Sequence, residues 1–227
     1  QSGCNRNEVD DYVGINDVEQ FIGDKAIKEG YTFDPAPKLQ KERVAIIGGG
    51  PAGLSAAYQL RKMGYASTIF EERKELGGMM RYGIPGYRTP RDLLDKEIER
   101  IINLGDIELV LGKRVGKDVK LEDVEKSHDA VLWTIGCWNG KAIPVDGGDA
   151  TNCITGVDFL EAFCDGRLKV GSKKVICVGG GDTSIDVVSV ARRLGHISKM
   201  NEQDTPENIV HGLSLIHISE PTRHDQI

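Results

Sequence analysis

The chain alternates between short apolar runs and amphipathic stretches. An apolar run at 43–47, RVAII, is followed by a glycine-rich segment, by apolar residues at helical spacing up to residue 64, and by a second apolar run at 67–70. Strand, turn, helix and strand in this order predict a βαβ unit. The later runs IELVL and AVLWTIG lack polar alternation, which is typical of parallel strands covered on both faces. We therefore predict an α/β fold with a doubly wound, Rossmann-like sheet.

Two amphipathic helices flank this unit. In the polar, acidic lead a helix is predicted over 16–29, and FDPAPKLQKE then has the composition of a linker. The apolar side of this helix comprises Val18, Phe21, Ile22 and Ala26. After RTP, a second helix is predicted with Thr89 as its N-cap and Pro90 at its first position. Its apolar side comprises Leu93, Leu94, Ile98, Ile101 and Ile102.

After a short helix predicted at GVDFLEAFC, the pattern restarts at KKVICVGGGDTSIDVV, the opening βα unit of a second nucleotide domain. We divide the chain into a lead and linker (1–40), a first nucleotide domain (41–140), an incomplete second one (141–212) and a tail (213–227). Reverse translation of residues 213–223 matches a transposase adapter used in sequencing libraries. The tail is therefore expected to be non-native, and the chain to be truncated at both ends.

Composition narrows the possible partners. The 227 residues carry 29 Lys and Arg against 35 Asp and Glu, a formal net charge of −6, with the two signs interspersed. Without a basic stripe, nucleic acid is not an expected partner. The most apolar window is broken by Gly and Pro, so no membrane span is expected. Five widely spaced cysteines suit a reducing compartment, and the cytoplasm is the expected location.

The first glycine-rich turn, GGGPAG at 48–53, has the dinucleotide fingerprint in its required context. Gly48 permits the tight turn, Gly50 lets the backbone approach a diphosphate, and Gly53 lets helix and strand pack closely. The free N–H groups at the start of the helix favour an anion. The residues expected to bind the diphosphate are Gly48, Gly50, Pro51, Ala52 and Gly53.

An acidic residue ends the second strand. Glu71, 18 residues beyond Gly53, is expected to accept hydrogen bonds from an adenosine ribose. A solvated strand end is the alternative, and the adjacent Glu72 could be mistaken for the ribose ligand.

The second turn, GGGDTS at 179–184, repeats the fingerprint with Ser184 where the third glycine or alanine usually stands, so a small residue is kept. The set expected to bind a second dinucleotide is Gly179, Gly180, Gly181, Asp182, Thr183 and Ser184. Asp186 lies one turn further, on the other side from Ile185 and Val188, and both a cofactor-binding role and a surface acid are open. Two fingerprints imply a flavin enzyme in which the cofactors perform hydride transfer, so no catalytic side chain is expected.

With these residues in view, the chain resembles the small (beta) subunit of glutamate synthase and the related electron-input domain of dihydropyrimidine dehydrogenase, over about residues 4–197. The matching segments are CNRNEVDDYVGINDVEQFIGD, VAIIGGGPAGLSAAYQLRKMG, GGMMRYGIPGYRTP, HDAVLWTIG and VGGGDTSIDVV. The resemblance implies a flavoprotein that takes electrons from NAD(P)H onto FAD. It also implies transfer through [4Fe-4S] clusters to a large catalytic subunit or another electron-accepting protein.

The resemblance also assigns residues to the cofactors. Around the flavin it places Gly77, Gly78 and Met79 at the FAD diphosphate and ribose, Ile84 and Pro85 near the isoalloxazine, Val115 at the adenine, and Gly136 closing the site. Taken alone, Gly77–Gly78 is a turn and Ile84–Pro85 a loop that packs on the core. The lead corresponds to the C-terminal remnant of a helical iron–sulfur domain, with Cys4 as its last cluster ligand.

Other function classes share parts of this pattern. A dithiol disulfide reductase needs a reactive cysteine pair at the flavin, whereas LGGMMRYGIP contains no cysteine and the chain has no CxxC or CxxxxC. A non-catalytic dinucleotide-binding module for regulation or assembly stays open, as does the electron-input subunit of another reductase complex. The isolated histidines argue against metal or hydrolase chemistry. The choice between NADH and NADPH and the identity of the acceptor are open.

Overall fold

The computed structural model describes residues 5–34, 37–141, 144–168 and 174–197, with side chains up to Leu194. Cys4 and the expected tail at 213–227 lie outside these ranges. The strands are β1 (Arg43–Ile47), β2 (Ala66–Glu71), β3 (Ile107–Leu111) and β4 (Ala130–Trp133). After a 3-10 turn at Asn5–Glu8, the helices are α1 (Ile15–Lys28), α2 (Pro51–Lys62), α3 (Met79–Tyr82), α4 (Arg91–Ile102), α5 (Leu121–Ser127), α6 (Gly156–Cys164) and α7 (Asp182–Ile197). Each helix in the described ranges is too short or too polar to pass through a bilayer.

The strands form one parallel sheet in the order β3-β2-β1-β4. β1 lies in the centre, with Arg43 beside Ala66 of β2 and Val44 beside Ala130 of β4. Parallel neighbours need a crossover connection, and here helices supply each crossover. This arrangement confirms the predicted Rossmann-like α/β fold.

Alternate residues of the inner strands supply two hydrophobic clusters, one on each face of the sheet. On one face, Ile46 and Ile69 are fully buried against α2 and α4. On the other face, Phe70 packs with Val124 of α5. Burial of each isoleucine stabilises the fold by about 1.5–3 kcal/mol. The central strands therefore hold the carboxyl edge of the sheet, where the first glycine turn begins.

A third cluster joins α6 and α7 beside the sheet. Phe159 and Phe163 of α6 pack with Val187 and Val190 of α7. Tyr87, from the loop that precedes α4, packs against the same cluster. The helices expected at 156–164 and after the second glycine turn are therefore both present, and a residue of the first nucleotide domain contributes to their core.

The first helix forms within one residue of its predicted bounds, but most of its apolar side is exposed to solvent. Val18, Phe21 and Ile22 are 52%, 66% and 59% exposed among the described residues. The half-buried positions include Ala26 and Ile27. The helix lies beside α4, so its contact uses a narrower side than the periodicity predicts.

Helix α4 begins one residue later than expected. Pro90 has an extended ψ of 130° and is the N-cap, and no side chain caps the helix, so the assignment of Thr89 as cap was wrong. The Pro90 carbonyl already accepts a hydrogen bond of 3.1 Å from the Leu94 N–H. Of the predicted apolar side, Leu94 and Ile98 are buried.

Two apolar runs are less covered than the sequence predicts. β4 is one of the two edge strands of the described sheet, and its Leu132 and Trp133 are 41% and 52% exposed, so coverage of both faces was wrong for this strand. Residues 174–180 form no strand, and Ile176 is 89% exposed. The described residues place no neighbouring strand beside this run, and an extended segment is stable as a strand when a neighbour accepts its hydrogen bonds.

The close contact of α2 with β1 depends on Gly53. A Cβ at this position would lie 2.0 Å from the Gly48 carbonyl oxygen, which is backbone and cannot move aside. We expect Gly53→Ala to lower the free energy of unfolding by about 1–3 kcal/mol or more. Urea denaturation of the purified protein measures this loss.

The matched control is Gly23→Ala, inside α1, where an added Cβ meets nothing within 4 Å. Alanine is favoured over glycine in a helix interior by about 1 kcal/mol, so this variant should be as stable as the wild type or slightly more stable. Equal destabilisation of the two variants would contradict the packing role of Gly53.

Candidate functional site

The first glycine turn is held by the ends of three strands. Gly48, with φ +110°, donates its N–H to the Phe70 carbonyl of β2 at 2.8 Å. The Thr134 hydroxyl donates to the carbonyl oxygens of Ile47 at 3.0 Å and Gly48 at 2.9 Å. The turn is therefore fixed by backbone groups and one side chain.

The N-terminus of α2 opens away from this turn. Gly50 is the N-cap and provides no side-chain hydrogen bond, and Pro51 and Ala52 are exposed. The first N–H groups of a helix lack partners within the helix and carry its positive potential. The arrangement can bind an anion at the carboxyl edge of the sheet, as expected of the residues at 48–53.

A second glycine segment lies across the first. The Gly77 N–H donates to the Gly49 carbonyl at 2.9 Å, and a Cβ at Gly78 would lie 2.7 Å from the Cα of Gly50. Met79 follows at the start of α3. The structure thus brings Gly77 and Gly78 against the fingerprint turn, and the junction of the two segments is called the glycine cleft below.

Glu71 lies at the end of β2 beneath the turn and is 6% exposed. Its carboxylate accepts the Gly49 N–H at 2.7 Å and the Arg73 N–H at 2.8 Å, one on each oxygen. A carboxylate oxygen can accept more than one hydrogen bond, so capacity remains for a further donor. The alternative of a solvated strand end was wrong for Glu71, whereas Glu72 is exposed.

The remaining residues assigned to the flavin lie in the connections that follow α3, β3 and β4. Pro85 is fully buried, and the Ile84 carbonyl accepts a hydrogen bond of 2.8 Å from Arg91. Val115 packs against the cluster that contains Phe70. Gly136, with φ +69°, follows Thr134 by two residues. These positions are compatible with the expected roles, which stay predictions.

The second glycine turn precedes α7. Gly179 has φ +127°, and a Cβ there would lie 2.7 Å from the Ser184 hydroxyl oxygen. The space left by Gly179 therefore accommodates Ser184, which stands where the first turn has glycine. Gly181 and Asp182 are exposed, and a Cβ at Gly181 would meet nothing within 4 Å.

Asp186 lies inside the structure. It is 6% exposed, and both of its carboxylate oxygens accept from Nη1 of Arg88 at 2.8 Å. It does lie on the other side of α7 from Ile185 and Val188, but those two are the exposed ones. The alternative of a surface acid was therefore wrong.

Sequence reasoning missed three side chains of this region, namely Thr134, Arg88 and Arg73. The first two stand in the motifs HDAVLWTIG and YGIPGYR, which singled out their segments without revealing their contacts. Arg73 stacks on Tyr82 at 5.2 Å and Trp138 at 4.8 Å and pairs with Glu161. Burial lowers the pKa of Arg73. The hydrogen bond and the charge of Glu161 together raise the pKa by more than burial lowers it, so the net shift is upward.

Residues 42–219 match the family model described as Pyridine nucleotide-disulphide oxidoreductase. The chain is 40% identical to NADPH-Fe(3+) oxidoreductase subunit beta from Geobacter sulfurreducens, over 86% of this chain and 30% of that protein. It is 31% identical to Glutamate synthase [NADH] from Saccharomyces cerevisiae, over 91% and 10%. It is 34% identical to NAD-dependent dihydropyrimidine dehydrogenase subunit PreT from Salmonella typhimurium, over 86% and 47%.

The chain thus spans less than half the length of each of these relatives. A solved structure of FprA from Mycobacterium tuberculosis in complex with NADPH superposes with a TM-score of 0.52 at 22% identity, over 55% of this chain and 29% of that one, and shows the shared fold. The resemblance to glutamate synthase and dihydropyrimidine dehydrogenase is confirmed, as is the oxidoreductase class with FAD and NAD(P)H as its cofactors. The chain belongs to the pyridine nucleotide-disulphide oxidoreductase family.

Proposed function

We propose that this chain is the electron-input part of a larger flavoprotein, which binds FAD at the first glycine turn and NAD(P)H at the second and passes electrons to a partner. The observation that carries the proposal is the crossing of the two glycine segments, with Gly78 against Gly50, directly above the buried carboxylate of Glu71. A diphosphate needs free N–H groups, which the start of α2 offers beside this crossing, and its ribose needs an acidic acceptor such as Glu71.

The first site fits FAD by the chemistry of its donors. The N-terminus of α2 offers N–H groups to a diphosphate, and Glu71 keeps acceptor capacity for ribose hydroxyls. Gly77, Gly78 and Met79 would line the diphosphate and ribose, with the other expected positions at Ile84, Pro85, Val115 and Gly136. FAD supplies the capacity to accept a hydride and release its electrons singly or in pairs. The side chains orient it and supply no nucleophile.

The second site would take the diphosphate of NAD(P)H at the N-terminus of α7. The exposed Gly181, with open space above its Cα, and the exposed Asp182 support this assignment for the set Gly179–Ser184. Asp186 points instead to Arg88, so we assign it a role other than direct contact with the nucleotide.

For the complete protein we propose iron–sulfur clusters in the lead, with Cys4 as one ligand, a large catalytic subunit or another electron acceptor as partner, and a cytoplasmic location. The relatives named as subunit beta and subunit PreT support a multi-subunit assembly. A glutamate synthase-like acceptor is the first candidate. A different reductase complex is supported by the Geobacter relative, which is named for Fe(3+). A non-catalytic module is the remaining alternative.

The decisive experiment uses the complete parent protein. We expect a flavin absorbance band after purification and its loss on anaerobic addition of NADH or NADPH, because hydride transfer reduces the flavin. The nucleotide that bleaches the flavin band at the lower concentration is identified as the physiological electron donor. A flavin band that neither nucleotide bleaches would support the non-catalytic module instead. The absence of any bound flavin would contradict the proposal.

Substitution of Glu71 tests the ribose assignment. Glu71→Gln loses the charge and presents an N–H₂ to one of the backbone N–H groups now bound at 2.7 and 2.8 Å. We expect FAD affinity to fall about tenfold or more, since charge-assisted hydrogen bonds contribute about 1.5–3 kcal/mol. Calorimetric titration of the deflavinated protein with FAD measures the change.

The neighbouring Glu72→Gln is the matched control, because Glu72 is exposed and reaches Arg73 and Arg114 at 3.9 and 3.4 Å. Its FAD affinity should stay within about twofold of the wild type, as expected for a surface ion pair. If the Glu72 variant instead bound FAD more weakly than the Glu71 variant, the ribose role would belong to Glu72.

Cysteine reactivity tests the disulfide reductase alternative. Burial raises the pKa of the Cys164 thiol to about 11, with Arg91 acting in the opposite direction. Since the thiolate is the reactive form, about one Cys164 in a thousand is reactive at pH 8. Iodoacetamide followed by peptide mass mapping should modify the exposed Cys153 well before Cys164, whose rate should rise about tenfold per pH unit up to about pH 11. Rapid alkylation of Cys164 at pH 7 would revive a thiol mechanism.

A further inference from the structure

The segment at 84–91, called the connecting loop below, runs between the two proposed cofactor sites. It begins at Ile84, whose N–H donates to the Met79 carbonyl at 3.0 Å just after Gly77 and Gly78, and it ends where α4 starts at Arg91. Its middle reaches the other way, toward α6 and α7. The loop therefore contacts both parts of the molecule through residues only a few positions apart.

The strongest of these contacts is the ion pair between Arg88 and Asp186. The two residues are 98 positions apart, and a single nitrogen of Arg88 donates to both carboxylate oxygens at 2.8 Å. The Asp186 side chain is 8% exposed, whereas that of Arg88 is 48% exposed. The hydrogen bond that Arg88 donates to Asp186 raises the pKa of Arg88, so the guanidinium stays charged throughout the working range of an enzyme.

Three neighbouring contacts tie the same loop to the same helices. The Arg193 guanidinium of α7 lies 3.5 Å from the ring centroid of Tyr87. Arg91 donates to the Ile84 carbonyl at 2.8 Å and lies 3.6 Å from the sulfur of Cys164 in α6. The Cys164 thiol in turn contacts the Ile84 carbonyl at 3.6 Å. The loop is thus held at its start, middle and end.

Asp186 is placed where it can act on the second glycine turn. It lies in the second turn of α7, the helix that Gly179–Gly181 precede, and α7 presents its N-terminus to the proposed NAD(P)H diphosphate. A contact that fixes the position of Asp186 therefore also fixes the position of the N-terminus of α7. Arg88 lies three residues after the fully buried Pro85 and four after Ile84, whose N–H donates to the Met79 carbonyl at 3.0 Å.

We propose that Arg88 and Asp186 are a positioning pair that sets the second glycine turn so that a nicotinamide whose diphosphate is bound there lies at hydride-transfer distance from the flavin. The inference rests on the proposed function and adds the residues that control its geometry. Neither side chain gives or takes a proton in this role; the pair acts on distance and orientation. Misplacement of reacting groups by about 1 Å lowers the rate about a hundredfold. An ion pair that fixes the distance between the two cofactor sites therefore has a large effect on turnover.

The test measures flavin reduction by anaerobic stopped flow in the complete protein, with the nucleotide that bleaches the wild type. Three quantities are recorded for each variant: FAD per protein, the limiting bleaching rate, and the half-saturating nucleotide concentration. Arg88→Ala should lower the limiting rate about tenfold to a hundredfold, with FAD content retained and half-saturation within about threefold.

Two further variants guard against a folding defect. Arg88→Ala leaves a buried carboxylate without its partner, whereas the double variant Arg88→Ala with Asp186→Asn removes both charges and should fold while showing the same loss of rate. Arg88→Lys offers one nitrogen, as Nη1 does here, and should restore the rate to within about threefold of the wild type. Glu108→Ala, which removes a solvent-exposed ion pair with Arg43 in the sheet, is the matched control and should leave all three quantities unchanged.

A double variant with the wild-type limiting rate would overturn the inference. So would a variant series that loses FAD or weakens nucleotide saturation while the limiting rate stays constant, because the pair would then serve binding and not positioning. Failure of the proposed function is distinct from both, since it appears as absence of bleaching in the wild type itself.

Discussion

The fold and the cleft both depend on backbone approaching backbone where a side chain would not fit. At Gly53 an added Cβ would stand 2.0 Å from the Gly48 oxygen, and at Gly78 it would stand 2.7 Å from the Cα of Gly50. These two contacts let α2 start directly at the end of β1 and let the second segment close over the turn. Because all the strands of the described sheet are parallel, their loops then gather at this one edge, where α/β proteins bind their ligands.

The two glycine turns differ in how the third position of the fingerprint is packed. In the first, Thr134 binds the carbonyls of Ile47 and Gly48, and the position of the third glycine admits no side chain. In the second, Ser184 is tolerated because Gly179 gives up the space that its hydroxyl occupies. The first turn is thus enclosed by the strand ends around it, whereas the second depends on α7 and its neighbours for its position.

The sequence predicted what local periodicity controls and missed what depends on distant partners. The apolar runs around the first turn predicted the strands correctly because consecutive residues such as Ile69 and Phe70 are buried on opposite faces, as a sheet covered on both sides requires. The fingerprint glycines and Glu71 could be placed together for the same reason. The lone run at 174–178 shows the limit, because an apolar segment becomes a strand when a neighbour pairs with it.

Asp186 shows the same limit for a helix. Spacing separates it from Ile185 and Val188, but spacing alone does not say which side of α7 faces the protein, and its partner Arg88 comes from a loop 98 residues away. The exposed side of α1 is a further case: Phe21 and Ile22 follow helical periodicity, yet both are exposed, whereas Ala26 and Ile27 are half-buried.

The edge of the sheet at β4 has a practical consequence for work with shortened chains. Leu132 and Trp133 leave this strand apolar and, within the described part of the chain, unpaired on its outer side. Exposed strands of this kind recruit strands from other molecules and so promote self-association. Shortened versions that leave β4 uncovered will therefore favour oligomers or aggregates at the concentrations that spectroscopy needs.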